Sequence, residues 1–120
     1  MKNNNFISKS ISQLLNRFGL INYSTNFVHD NPPHENIRVD RITIVGGKDY
    51  VKWAYLRCPC GCNEIIMLSL IKGANPSWRI WIDKLGRPTI SPSIWRTEGC
   101  RSHFIIKSGK LIWAKSTWEN

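Results

Sequence analysis

The stretch RCPCGC, residues 57–62, sets three cysteines on alternate positions with a proline and a glycine between them. The fourth cysteine follows much later, in GCRSHF, residues 99–104. Half-cystines two residues apart cannot pair without strain, so the three clustered thiols need another partner. Thiolates and imidazole are the ligands zinc prefers, and a structural site closes with four of them in a tetrahedron. Cys58, Cys60, Cys62, Cys100 and His103 offer five. A fold that uses them must bring two distant segments to one end of the molecule, on a loop that leaves one strand and a loop that enters another. Gly61 and Gly99 let those loops turn tightly enough for backbone N–H groups to face sulfur.

The rest of the chain reads as the strands such loops would join. From Ile37 onward, short apolar runs alternate with turn residues, the pattern of antiparallel strands. Strands are expected near Arg41–Val45, Tyr50–Arg57, Glu64–Ile71, Ser77–Ile82, a short piece at Thr89–Ile90, His103–Lys107 and Leu111–Ala114. Gly46-Gly47, the Asp83–Gly86 turn and Ser108-Gly109 stand where tight hairpins favour glycine. Before this region, Ile11, Leu14, Leu15 and Phe18 fall at helical spacing, with Ser8 or Ser10 as N-cap and Gly19 as stop. Asn22–Asn36, ending in NPPHEN, is polar and broken by proline, and reads as a loop. The expected organisation is an N-terminal helix and linker over residues 1–36 and a metal-binding β domain over 37–120. The fold class is mainly β: a small antiparallel sandwich or barrel with one short helix.

Alternation in Trp78-Arg79-Ile80-Trp81-Ile82 puts Trp78, Ile80 and Ile82 on one face and Arg79 and Trp81 on the other. Trp81 can therefore face outward. Trp53, Trp95, Trp113 and Trp118 complete the set of 6 tryptophans, most of which are expected in the core, where each fills space that few aliphatics could.

Seventeen Lys+Arg against 8 Asp+Glu give a formal charge of +9, which favours an acidic partner, whether protein or nucleic acid. The basic residues are scattered rather than run together, so the charge describes a surface and not a tail. The N-terminus carries no secretory pattern and no window is apolar enough for a membrane span, so a cytoplasmic location is expected, where thiols stay reduced and serve as ligands. His29 and His34, in the proline-rich loop, read as surface histidines outside the metal site.

The preferred ligand set is Cys58, Cys60, Cys100 and His103, with Cys62 exchanging for one of them or hydrogen-bonded behind them; pairs using Cys62 close equally good chelates. Three thiolates and a histidine leave the zinc site negative, which gives Arg57 and Arg101 a reason to be adjacent. The order Cys-x-Cys, a long gap, then Cys-x-x-His also resembles the Rieske arrangement, in which two loops of a β domain hold a [2Fe–2S] cluster. Here a cysteine stands where Rieske proteins carry the first-loop histidine, so a Rieske-like or zinc-ribbon-like fold holding zinc is preferred over electron transfer.

With CPCGC, GRPTISPSIWRTEGCRSHF and the closing LIWA in view, the chain resembles a small bacterial family of unknown function marked by a CPCGC element, a GRPT-SPS-W element and a GCRSHF element. The resemblance covers Val39 to Ala114. It implies a metal site and a place beside ubiquitin-like modifiers and E1-like, E2-like or JAB-like proteins. The implied role is an accessory, adaptor or E3-like factor in protein modification, with antiphage defence as its setting. In that role Arg87, Arg96 and Arg101, near the metal end, would recruit an acidic protein such as a ubiquitin-like or E1/E2-like partner; a non-specific nucleic-acid-binding module is the alternative.

Catalysis is the less favoured reading. Four or five soft ligands favour a closed metal site over one with an open position for water. Glu98 could serve a catalytic zinc as base, but Pro59-Cys60-Gly61-Cys62 and His34-Glu35 each fall one residue short of the zinc-deaminase pattern. Ser91 and Ser93 have no histidine close in sequence, and serines flanking proline read as turn formers.

Overall fold

The computed structural model describes residues 5–47 and 49–114, the side chains of residues 5–9 excepted; Trp118 lies outside them. After helix α1 (Asn5–Arg17) come strands β1 (Ser24–Val28), β2 (Arg41–Gly46), β3 (Val51–Arg57), β4 (Ile65–Ser69), β5 (Arg79–Ile82), β6 (Pro88–Trp95), β7 (His103–Lys107) and β8 (Lys110–Trp113). They form two four-stranded sheets in the orders β1-β2-β3-β4 and β5-β6-β7-β8. The mainly β expectation holds, as two facing sheets rather than a closed barrel.

The sheets face one another because each strand points alternate side chains inward. Ile42 and Ile44 of β2, Ala54 and Leu56 of β3, and Ile66 and Leu68 of β4 meet Ile90 and Ile94 of β6 and Phe104 and Ile106 of β7 in one buried core. Cys58 continues the inward series of β3 and belongs to the same core. It thus puts a thiol at the end of the sandwich while its side chain is still buried.

The outer faces of the two sheets differ. On the first sheet, Val45 and Tyr55 pack with Ile37, from the segment before β2, into a second small core that Val28, Trp53 and Ile65 border. This is why β2 is buried at four consecutive positions instead of alternating. The second sheet carries no such cover among the described residues: Trp81, Trp95, Ile105 and Ile112 stay exposed on it. The expectation that most tryptophans fill the core is corrected accordingly. Trp53 and Trp78 are partly buried, whereas Trp81, Trp95 and Trp113 are each 50% exposed.

Three further expectations change. The short piece expected at Thr89–Ile90 is the longest of the described strands, β6 (Pro88–Trp95), and Ser91 and Ser93, read as turn formers, lie within it. The segment read as a loop contains β1, which pairs in parallel with β2, Thr25 beside Ile42 and Phe27 beside Ile44. The helix starts at Asn5, so Ser8 and Ser10 lie inside it rather than capping it. Its stop is as expected: Gly19 takes φ 75° and the Leu20 N–H reaches Leu15 O at 2.9 Å. The helix docks through polar side chains. Ser12 is fully buried against Thr25, and Asn16 Nδ2 donates to Asp40 O at 2.8 Å, while Leu14 and Phe18 remain exposed.

Candidate active site and metal centre

Two loops at one end of the sandwich carry the cysteines. Residues 58–64 join β3 to β4, closed by the Cys58 N–H to Glu64 O bond at 2.8 Å, and residues 96–102 join β6 to β7, closed by the Arg96 N–H to Ser102 O bond at 2.8 Å. Gly61 sits at φ 97°, a conformation that would strain a side-chain-bearing residue, and this turn places Cys60 and Cys62 on the same side.

The sulfurs of Cys58, Cys60, Cys62 and Cys100 all lie within 4.8 Å of one another, so these four residues could hold a metal ion. Cys58 Sγ is 3.4 Å from Cys60 Sγ and 3.5 Å from Cys100 Sγ. A tetrahedral zinc with ~2.3 Å bonds would hold its sulfurs roughly 3.8 Å apart, and the cluster is already near that spacing. The fit needs no rearrangement of the loops. Cys58 is buried and the other three are exposed, so one ligand is rooted in the core and the rest close over it from the rim.

The thiols differ in acidity. Ser102, through its hydroxyl and then its backbone N–H, brings Cys100 down to about 6. The Cys62 backbone N–H, with the Ser102 hydroxyl behind it, lowers Cys60. Cys62 goes up to about 11: the Glu64 backbone N–H pulls it down, but desolvation and hydrogen bonds with Cys60, Cys58 and Cys100 outweigh that. Thiols that share protons in this way are the usual precursor of thiolate ligands, because a cation can take the place of the protons.

The arginine beside the thiols is Arg96, whose Nη1 lies 3.7 Å from Cys62 Sγ and 3.9 Å from Cys100 Sγ. Arg57, expected there, instead donates to the backbone carbonyls of Ile37, Asn63 and His34 at 2.7–2.9 Å, locking the base of the first loop. Arg87 is paired with Asp83, Nε to Oδ2 at 2.6 Å. Arg101 is exposed on the second loop, with φ 55°.

His103 is not among the four clustered ligands. Its Nε2 lies 2.9 Å from Ser93 Oγ. When Nε2 carries no proton the Ser93 hydroxyl donates to it, the geometry of a nucleophile and its general base. Three features build this pair. In β6, Ile90 pairs with Ile106 and Ile94 with Phe104, so Ser91, Pro92 and Ser93 lie opposite the single residue Ile105 and bulge out of the ladder. Trp78 Nε1 donates to Ser93 O at 3.3 Å and steadies the bulge. Trp95 stacks on the imidazole, with ring centroids 4.8 Å apart and planes 10° apart. Among the described residues the hydrogen bonds place no carboxylate on the imidazole; the stack is what orients it.

Ser93, expected from the sequence to be a turn former beside proline, is the nucleophile candidate that the contact with His103 brings out. Two signals could have found it. A proline inside a strand marks a bulge, and pairing β6 with the strand that begins at His103 puts Trp95 opposite His103 and the bulge next to it.

The cysteine cluster and the Ser–His pair are joined through the β6–β7 hairpin, which carries Cys100 as well as Ser93 and His103. Cys100 and Ser102 immediately precede His103, and Ser102 Oγ lies 3.1 Å from Cys100 Sγ and 3.4 Å from Cys58 Sγ. Linking Cys100 to Cys58 therefore ties the loop between the two catalytic candidates to the opposite sheet. Among the described residues, no helix is long and apolar enough to cross a membrane. No curated protein and no solved structure matches the chain. A family model does match over residues 27–114, and its description is bacterial ubiquitination-like system serine protease, BubE.

Proposed function

The chain belongs to the BubE family of bacterial ubiquitination-like system serine proteases, and from that premise we propose that it is a serine hydrolase with Ser93 as nucleophile and His103 as general base. The observation that carries this reading is the 2.9 Å contact between Ser93 Oγ and His103 Nε2. An adaptor or E3-like role would need no such pair. The substrate is a protein of the modification system, a ubiquitin-like protein or its conjugate, and the bond cleaved is a peptide or isopeptide amide.

Ser93 Oγ attacks the scissile carbonyl as its proton passes to His103 Nε2. The imidazolium returns that proton to the leaving amine as the C–N bond breaks, which leaves an acyl ester on Ser93. Water, deprotonated by the same nitrogen, then releases the carboxylate and frees the serine. Trp95 keeps the imidazole facing Ser93 through both steps.

Zinc bound by Cys58, Cys60, Cys62 and Cys100 is the structural part of the proposal, and a cytoplasmic location would keep the four thiols available to it. With four thiolates a tetrahedral ion has no open position, so it would supply rigidity rather than an activated water. Its work is done through Ser102 and the loop that enters β7 at His103.

The test is covalent labelling. A fluorophosphonate probe should add to Ser93, located by mass spectrometry, and should fail to add to Ser93→Ala or His103→Ala. The wild-type chain should remove a C-terminal extension from the ubiquitin-like protein of its bacterial ubiquitination-like system. No label at Ser93 together with an uncleaved extension would refute the hydrolase reading.

A further inference from the structure

The Ser–His pair opens on the outer face of the second sheet rather than in a pit. Side chains on β7 alternate, with Phe104 and Ile106 inward and His103, Ile105 and Lys107 outward. Ile105 pairs with Ile112 and Lys107 with Lys110, so β8 continues the same face. On the other side Arg79 pairs with Ser91 and Trp81 with Thr89. Ser93 and His103 are thus surrounded by Trp81, Trp95, Ile105 and Ile112, which are 37–50% exposed.

Around these apolar side chains stand three exposed cations, Arg79, Lys107 and Lys110. No ion pair joins any of them to a carboxylate among the described residues. The strands contribute no Asp or Glu to this face. The first sheet covers its own outer face with a second small core. Among the described residues, the second sheet thus leaves bare the outer face that carries Ser93 and His103, while the first sheet covers its own. Large exposed apolar side chains with a charged rim mark an interaction surface.

We propose that this face is the docking surface for the substrate, and that the substrate is recognised as a folded protein bearing an apolar patch bordered by carboxylates. The inference rests on the hydrolase reading, which puts Ser93 at the centre of the surface. Charge complementarity selects the partner: among the described residues the rim cations form no ion pair and the strands bring no carboxylate to this face, which favours carboxylates on the partner opposite them. Ile105 and Ile112 favour a protein over a nucleic acid, because bases stack on aromatic rings and gain little from branched aliphatic side chains. The cations would align the partner, and the apolar centre would exclude water around the scissile bond.

The experiment compares Lys107→Glu/Lys110→Glu and Trp81→Ala/Ile112→Ala with the wild-type full chain. Two substrates are used, p-nitrophenyl acetate and the ubiquitin-like protein of the modification system with a C-terminal extension. All these positions are exposed, so melting temperatures should stay within a few degrees. The charge reversal should raise KM for the protein by about tenfold or more, remove most of its salt dependence, and leave ester hydrolysis within about twofold. The apolar pair should raise the protein KM comparably at every salt concentration. An unchanged protein KM in both variants would overturn the docking surface.

If the wild-type chain cleaves neither substrate, the hydrolase reading fails. Docking is then decided by fluorescence anisotropy with the same protein: a Kd weakened by either variant supports the surface, and a Kd weakened by neither overturns it. Displacement of that protein by a random-sequence single-stranded oligonucleotide at physiological salt would also overturn it in favour of a nucleic-acid surface.

Discussion

Ser93 and His103 are ten residues apart in sequence and 2.9 Å apart across two neighbouring strands. The contact depends on a bulge, since Ile94 is paired inward with Phe104 and a regular strand would carry Ser93 along the ladder with it. A nucleophile raised out of a strand by a bulge is held on both sides by backbone that is itself hydrogen-bonded. That arrangement gives the reacting atoms a fixed separation without a flexible loop.

Trp95 holds the base by stacking, so its removal should change turnover more than binding. On a small ester, which does not use the docking face, Trp95→Ala is expected to lower kcat by about 10- to 100-fold with KM little altered, because the imidazole gains rotamer freedom. Trp95→Phe should restore most of the loss. Steady-state kinetics on p-nitrophenyl acetate check this; an unchanged kcat on the ester would leave Trp95 a docking contact only.

Metal removal should act on both stability and activity. Elemental analysis of the purified chain should give about one zinc per molecule, and the protein should be colourless; visible absorption would indicate iron and sulfur. Chelation should lower the melting temperature by on the order of 10 °C or more, since an ion bound only by the folded state stabilises it. Hydrolysis should fall with it as the 96–102 loop loosens. Cys58→Ser should be more damaging than Cys60→Ser, because Cys58 is both a ligand candidate and a buried member of the core.

The sandwich should depend on the inward layer and hardly at all on the apolar side chains that α1 leaves exposed. Phe104 is fully buried between the sheets and edge-on to Trp113 at 5.8 Å, so Phe104→Ala should cost about 3–5 kcal/mol in chemical denaturation. Ser12→Ala, which removes the buried contact with Thr25, should cost about 1 kcal/mol. Leu14→Ser and Phe18→Ser should stay within about 0.5 kcal/mol, since both side chains face solvent. A larger loss at Phe18 would mean that the helix docks by its apolar stripe after all.

The place beside a ubiquitin-like modification system that the family resemblance implies agrees with the family description, whereas the count of soft ligands favoured a closed metal site over catalysis. The cysteines drew attention because four soft ligands are recognisable without a fold. A serine is common, and its chemistry depends wholly on what lies beside it.

Most strands after Ile37, the stop of the helix at Gly19 and the two cysteine loops could be read from local pattern, because alternation, turn glycines and ligand chemistry are written in neighbouring residues; β6 could not, since the prolines and serines of Pro88–Trp95 look like a turn until the strand is paired with β7. Nor could β1, whose polar residues STNFV gain their place only by pairing with β2. It takes the packed fold to bring Arg96 and not Arg57 to the thiols, to leave Trp81, Trp95 and Trp113 on the surface, and to set His103 against Ser93. Each of these turns on which strand lies next to which and on which face is covered. Those are relations between segments far apart in the chain, and no local pattern of residues encodes them.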